Sequence, residues 1–217
     1  MSESTTIKAE FRHTTNHGEE IKEFALPVIA VHGPEVFASG TAIVVAQGLA
    51  ITAKHVLEDF AAKYVQKYPQ EDPEDLPFHI FFHQVREGGK TEALWQCLYM
   101  WKCQLSDIVF LAFQPYSNHD QDYRWKSPVI SLFPPPIGTG IMAFGYHEIE
   151  GPSGKKYVSS TATGTVAEIH ERRRDSSMLP FPCFRTNARF DGGMSGGPVF
   201  RMDNGQLCGI VCTNLPP

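Results

Sequence analysis

Apolar runs of strand length, cut apart by turn-forming residues, set the strongest limit on what this chain can fold into. FALPVIAV (24–31), VFASGTAIVV (36–45), LAITA (49–53), FHIFFHQV (78–85), EALWQCLYMW (92–101) and DIVFLAF (107–113) follow one another, with breakers such as His32-Gly33-Pro34 and Gln47-Gly48 between them. One stretch departs from this rhythm. In AKHVLEDFAAKYVQKY the apolar residues fall at 56/57, 60/61 and 64/65, a helical spacing that must stop before Pro69. Strand-like runs resume at 140–146, 156–170, 183–188, 197–200 and 207–213. Many short strands with a single helix predict an all-β barrel or sandwich. The polar stretch 116–127 and the prolines at 134–136 divide the strands into two units. The expected organisation is a flexible lead over 1–22, a first β-unit over 23–115, a linker over 116–136 and a second β-unit over 137–217.

With 217 residues, 42% of them apolar and 20% charged, the chain can bury a core in each unit. A net charge of −5 gives no reason to expect nucleic acid or an anionic membrane as partner. No apolar run reaches 18 residues, and the polar start MSESTTIKAEFRHTTNHGEE lacks the apolar segment of a signal peptide. The five cysteines are odd in number and contain no Cys-x-x-Cys, so reduced thiols in a cytoplasm are expected rather than disulfides or a zinc site.

The chemistry concentrates in FDGGMSGGPVF (190–200), where Gly192, Gly193, Gly196 and Gly197 surround Ser195 just before an apolar strand. Glycine is costly unless the backbone needs an unusual dihedral or a close approach. A serine held on such a turn is a candidate nucleophile. To act at neutral pH it needs a base, and the base needs a third group to fix its tautomer. His55, at a strand-to-helix junction, and Asp107, at the start of a strongly apolar strand, are the candidates.

TAKH (52–55), SDIVFL (106–111) and GGMSGGPV (192–199), in that order, resemble the three signature segments of the chymotrypsin-like (trypsin-like) serine proteases. The likeness runs from about residue 24 to 214 and includes SGTAIVV, AFGY and TATGTVAEI; it is nearest to bacterial cytoplasmic or HtrA-like peptidases. The intervals of 52 residues from His55 to Asp107 and 88 from Asp107 to Ser195 are near one β-barrel per gap. The resemblance implies two antiparallel β-barrels of the six-stranded type, with one helix after His55. It implies a serine endopeptidase acting on protein or peptide substrates, of regulatory character and restricted specificity, with no metal or organic cofactor. Ser195 would be the nucleophile, His55 the base and Asp107 its orienting partner. The N–H groups of Gly193 and Ser195 would form the oxyanion hole. Arg189, six residues before the serine, would lie at the base of the specificity pocket, where it would reject basic side chains, or else point outward. Cys212, Thr213 and Asn214 would belong to the substrate-pairing strand. The competing reading is an inactive barrel that binds peptides or a partner.

Two departures from the family pattern stand out. Met194 replaces the aspartate that pairs with a newly freed N-terminus, and no IVGG-like segment precedes the first strand. The serine loop is therefore expected to be preformed, or to be ordered by substrate or by an activating partner. Only five strands can be counted after residue 137, so the second barrel is expected to lack its last strand. That strand would come from a longer form of this protein or from another chain, or its place would be taken by residues 129–133.

Overall fold

The computed structural model describes residues 17–33, 35–69, 79–86, 91–151, 154–176 and 179–213. Strands β1 (Ala25–His32), β2 (Glu35–Ala46), β3 (Leu49–Ala53), β4 (His79–Arg86), β5 (Thr91–Lys102) and β6 (Ile108–Pro115) close into an antiparallel barrel in the order β1-β2-β3-β6-β5-β4. Burial alternates along the strands, so that in β6 Val109, Leu111 and Phe113 point inward while their neighbours are more exposed. The barrel is filled by Leu26, Val28, Phe82, Trp95 and Leu111, among others. Helix α2 (Lys54–Lys67) follows β3 directly and presents Val56, Leu57, Phe60 and Tyr64 as its buried face.

The second unit is a curled sheet of five strands: β7 (Gly140–Gly151), β8 (Gly154–His170), β9 (Cys183–Thr186), β10 (Pro198–Arg201) and β11 (Leu207–Ile210). Their order is β11-β10-β7-β8-β9, which leaves β11 and β9 as edges and the barrel unclosed. The segment at 129–131 takes up part of the free edge of β11. Ile130 forms a parallel bridge with Leu207, whose carbonyl accepts from Ser131 N–H at 2.8 Å and whose N–H donates to the Val129 carbonyl at 2.8 Å. One bridge covers only the first residue of β11.

A second helix, α1 (His17–Lys22), lies where a flexible lead was expected. Its Ile21 is the physical reason. That side chain is buried in a cluster with Ala25, Ile43, Phe144, Phe200 and Leu207, which joins the barrel to the open sheet. Polar groups fasten the linker to the barrel as well. Buried Gln84 accepts from Trp95 Nε1 at 3.1 Å and donates to the Tyr123 hydroxyl at 3.0 Å, and Arg86 pairs with Asp120 at 2.6 Å. No helix among the described residues is long and apolar enough to cross a membrane.

Candidate active site

Helix α2 begins abruptly after β3. Its N-cap residue, Ala53, offers no side-chain acceptor, and no acidic residue sits in the first turn. A helix start leaves N–H groups without partners, and here they face outward to another strand's start. Asp107, just before β6, supplies the acceptors. Its carbonyl takes the Lys54 N–H at 3.2 Å and its Oδ1 takes the His55 N–H at 3.1 Å. The other carboxylate oxygen, Oδ2, lies 2.7 Å from His55 Nδ1. One carboxylate therefore fixes both the backbone and the ring of His55. The hydrogen bond that His55 donates to Asp107 raises its pKa above the ordinary 6.5, against the opposing effect of burial, and the negative charges of Asp107, Asp59 and Glu58 add to the rise.

Ser195 is seated by two successive turns. Met194 N–H donates to the Asp191 carbonyl at 3.2 Å, and Gly197 N–H to the Met194 carbonyl at 2.9 Å. The third residue of each turn is a glycine with positive φ, Gly193 at 93° and Gly196 at 79°, as type II turns require. Space excludes any other residue at Gly196: an added Cβ would stand 2.1 Å from the Thr41 carbonyl oxygen and 2.2 Å from Thr52 Oγ1. Among the described residues, the N–H groups of Gly193 and Ser195 donate to no backbone carbonyl.

The serine loop is held from both sides. Thr41 of β2 donates its N–H to the Ser195 carbonyl at 2.7 Å. The Thr41 hydroxyl donates to the Gly193 carbonyl at 3.3 Å and accepts from Tyr146 N–H at 2.9 Å. Thr52 Oγ1 donates to the Thr41 carbonyl at 2.7 Å, and both threonines are fully buried. From below, the Met194 side chain is fully buried in the core of the second sheet, and its Sδ accepts from Asp191 N–H at 3.4 Å. Met194 thus anchors the loop by apolar burial.

His55, Asp107 and Ser195 line one cleft of about 800 Å³ between the two units, together with Phe190, Gly192, Cys212 and Thr213. Burial pushes the Cys212 thiol up to about 12, and the adjacent Asp107 charge adds to the shift, so this group stays a neutral thiol. Arg189 is exposed and lines no part of this cleft, while Ala188 and Phe190 on either side of it turn inward to the neighbouring cavity. Exposed between two inward-facing neighbours, Arg189 lies outside the expected specificity pocket. Asn214 lies outside the described residues. Among the described residues, no cluster of His, Cys, Asp and Glu side chains is arranged to hold a metal ion.

Residues 40–210 match the trypsin-like peptidase domain. The chain belongs to the trypsin-like peptidase family. Solved structures share its fold. The MamO protease domain from Magnetospirillum magneticum is 18% identical, with a TM-score of 0.55 over 88% of this chain and 84% of that one. The active form of the Rv3671c protease from M. tuberculosis is 17% identical, with a TM-score of 0.52 over 89% of this chain and 71% of that one. The inactive form of Rv3671c gives 0.51 at 16% identity, over 89% of this chain and 78% of that one. At these identities the likeness carries the fold alone, and the same peptidase fold is found in active and inactive forms. No curated protein matches the sequence.

The seating of Ser195 has a direct test. Gly196→Ala forces a Cβ into the Thr41 carbonyl at a positive φ, and should lower stability by more than about 2 kcal/mol in chemical denaturation. A loss below about 0.5 kcal/mol would show that the loop can be seated otherwise.

Proposed function

We propose that this trypsin-like peptidase domain is a serine endopeptidase with His55, Asp107 and Ser195 as its triad. The observation that carries the reading is the 2.7 Å contact between His55 Nδ1 and Asp107 Oδ2, in a cleft that Ser195 also lines. With Nδ1–H donated to the carboxylate, the other ring nitrogen, Nε2, is left as an acceptor. Ser195 Oγ attacks the scissile carbonyl carbon while its proton passes to Nε2. The carbonyl oxygen becomes an oxyanion, which the N–H groups of Gly193 and Ser195 receive. Donors of this kind are worth about 3 kcal/mol each in a transition state. The intermediate collapses as the carbon–nitrogen bond breaks, and imidazolium gives its proton to the departing amine. Water then gives its proton to His55 and attacks the acyl-enzyme, which releases the acid and restores Ser195.

The chemistry calls for no metal or organic cofactor. The substrates are peptides or proteins. A cytoplasmic, regulatory role belongs to this reading, supported by five cysteines that are all free thiols. The buried Met194 anchor supports a loop formed without cleavage of the N-terminus.

A fluorophosphonate probe, which phosphonylates an activated serine, should label the wild-type protein at Ser195 and leave Ser195→Ala unlabelled. Peptide hydrolysis should fall by about four to six orders of magnitude in the variant. A properly folded wild type that neither reacts nor cleaves would favour a peptide-binding barrel without activity.

The raised His55 pKa gives a second test. The base must be neutral, so kcat/KM should rise with pH through one ionisation centred above 6.5. Stability should move the other way. The protonated His55–Asp107 pair stabilises the fold fully below the unfolded value of about 6.5 and loses that contribution as pH rises through the higher folded value. A kinetic midpoint at or below 6.5 would contradict the pairing.

A further inference from the structure

A cavity of about 600 Å³ opens off the cleft into the concave face of the second sheet. The two share Asp107, Phe181, Phe190, Val211, Cys212 and Thr213 as walls, so the cavity continues directly from the space beside Ser195. Beyond that mouth one wall is apolar, made by Ile169 of β8, Phe184 of β9, Ala188, Val199 of β10 and Ile210 of β11. Ala188 and Val199 are buried in the core of the sheet, and Ile169 and Phe184 pack against them. Gly209 sets the width on one side. An added Cβ there would lie 3.0 Å from the Phe184 ring, so any side chain would have to displace that ring or occupy space beside it. Charged groups also reach the cavity, with Asp107 at its mouth already engaged by His55. Glu171 is exposed, Arg185 is held by Glu168, and His170 lies 3.3 Å from the same carboxylate. Arg174, half-buried, is the remaining cation.

On the opposite side of the serine loop, Phe37, Gly40, Lys63, Tyr146 and Gly193 line a smaller depression of about 270 Å³. A scissile carbonyl at Ser195 therefore has unequal ground on its two sides. The acyl half, which stays bound to Ser195 after the amine leaves, needs the deeper hold.

We infer that this cavity is the specificity site of the enzyme and takes a large apolar or aromatic side chain from the residue that precedes the cleaved bond. The inference rests on the serine-peptidase reading above. An apolar wall stabilises an apolar side chain by removing its surface from water, and gives an ionised one no partner for the hydration it loses. Its volume admits Phe or Leu with room to spare, which favours them over Ala. Arg189 has no part in the choice, because it faces away from the cavity.

The test uses the full chain and a peptide library varied at the residues before and after the cleaved bond. Fluorophosphonate labelling is run in parallel to count active sites. We expect kcat/KM for Phe or Leu before the bond to exceed that for Lys, Arg, Asp or Glu by about 100-fold or more. Ala188→Leu and Gly209→Val narrow the cavity from two different walls. Each should lower the Phe-to-Ala ratio of kcat/KM by about tenfold or more, whereas general damage to the fold would lower both rates and leave the ratio alone. Absence of labelling in the wild type would overturn the serine-peptidase reading itself. Labelling with preferred cleavage after Lys or Arg, or after Asp or Glu through Arg174, would leave that reading standing and overturn this inference. So would selectivity confined to the residue after the bond, or an unchanged ratio in both variants.

Discussion

The candidate active site depends first on the contacts that Thr41 makes across the two sheets. Its N–H holds the Ser195 carbonyl at 2.7 Å, and its hydroxyl links the Gly193 carbonyl to the Tyr146 N–H. Every one of these partners belongs to the second unit, while Thr41 sits in the first. A fully buried hydroxyl that donates once and accepts once leaves no polar group unsatisfied. Loss of either bond would leave a half-buried carbonyl or N–H without this partner, which costs up to about 1–3 kcal/mol. The serine turn is thus fixed relative to β2, and through β2 and β3 relative to His55. Gly40, next in line, lets the chains meet: a Cβ there would strike Val56 of α2 at 2.4 Å and the Ser195 carbonyl oxygen at 2.9 Å.

The second constraint is local to the first barrel. Helix α2 has no cap of its own, and Asp107 provides one from the neighbouring strand. The carboxylate that completes the helix start also holds the imidazole. A negative charge at this end is favoured by the helix dipole as well as by His55. Packing, capping and orientation of the proposed base are therefore one arrangement. On the other side, buried Met194 replaces a charged anchor with apolar contact, which supports a loop that holds its shape without cleavage of the chain.

The strand boundaries were legible because one face of each strand is buried and the breakers between them are strong. The predicted helix, expected to stop before Pro69, runs from Lys54 to Lys67. His55, Asp107 and Ser195 could be picked out because their neighbours form short motifs, and the cleft brings all three to one place. What escaped the sequence depends on contacts between distant residues. Thr41 gave no sign beyond a Gly-Thr pair ahead of an apolar strand. The capping by Asp107 spans 52 positions. Ile21 looked like part of a polar lead until the junction between the units showed what buries it. Arg189 was placed by its distance from Ser195 alone, which left the pocket and the outward orientation open, and the structure exposes it between inward-facing Ala188 and Phe190. The unclosed second sheet was legible from the strand count, and residues 129–131 prove to cover a part of its free edge.

The central claim is that contacts from the first barrel hold Ser195 in a reactive position. Thr41→Val keeps the shape of the side chain and removes the hydroxyl that joins Gly193 to Tyr146. The rate constant for phosphonylation of Ser195 by a fluorophosphonate, measured alongside the thermal unfolding midpoint, tests this directly. The account predicts a rate at least about tenfold lower, as the loss of about 1.4 kcal/mol of positioning would give, in a protein still folded at the assay temperature. An unchanged rate in Thr41→Val would contradict it.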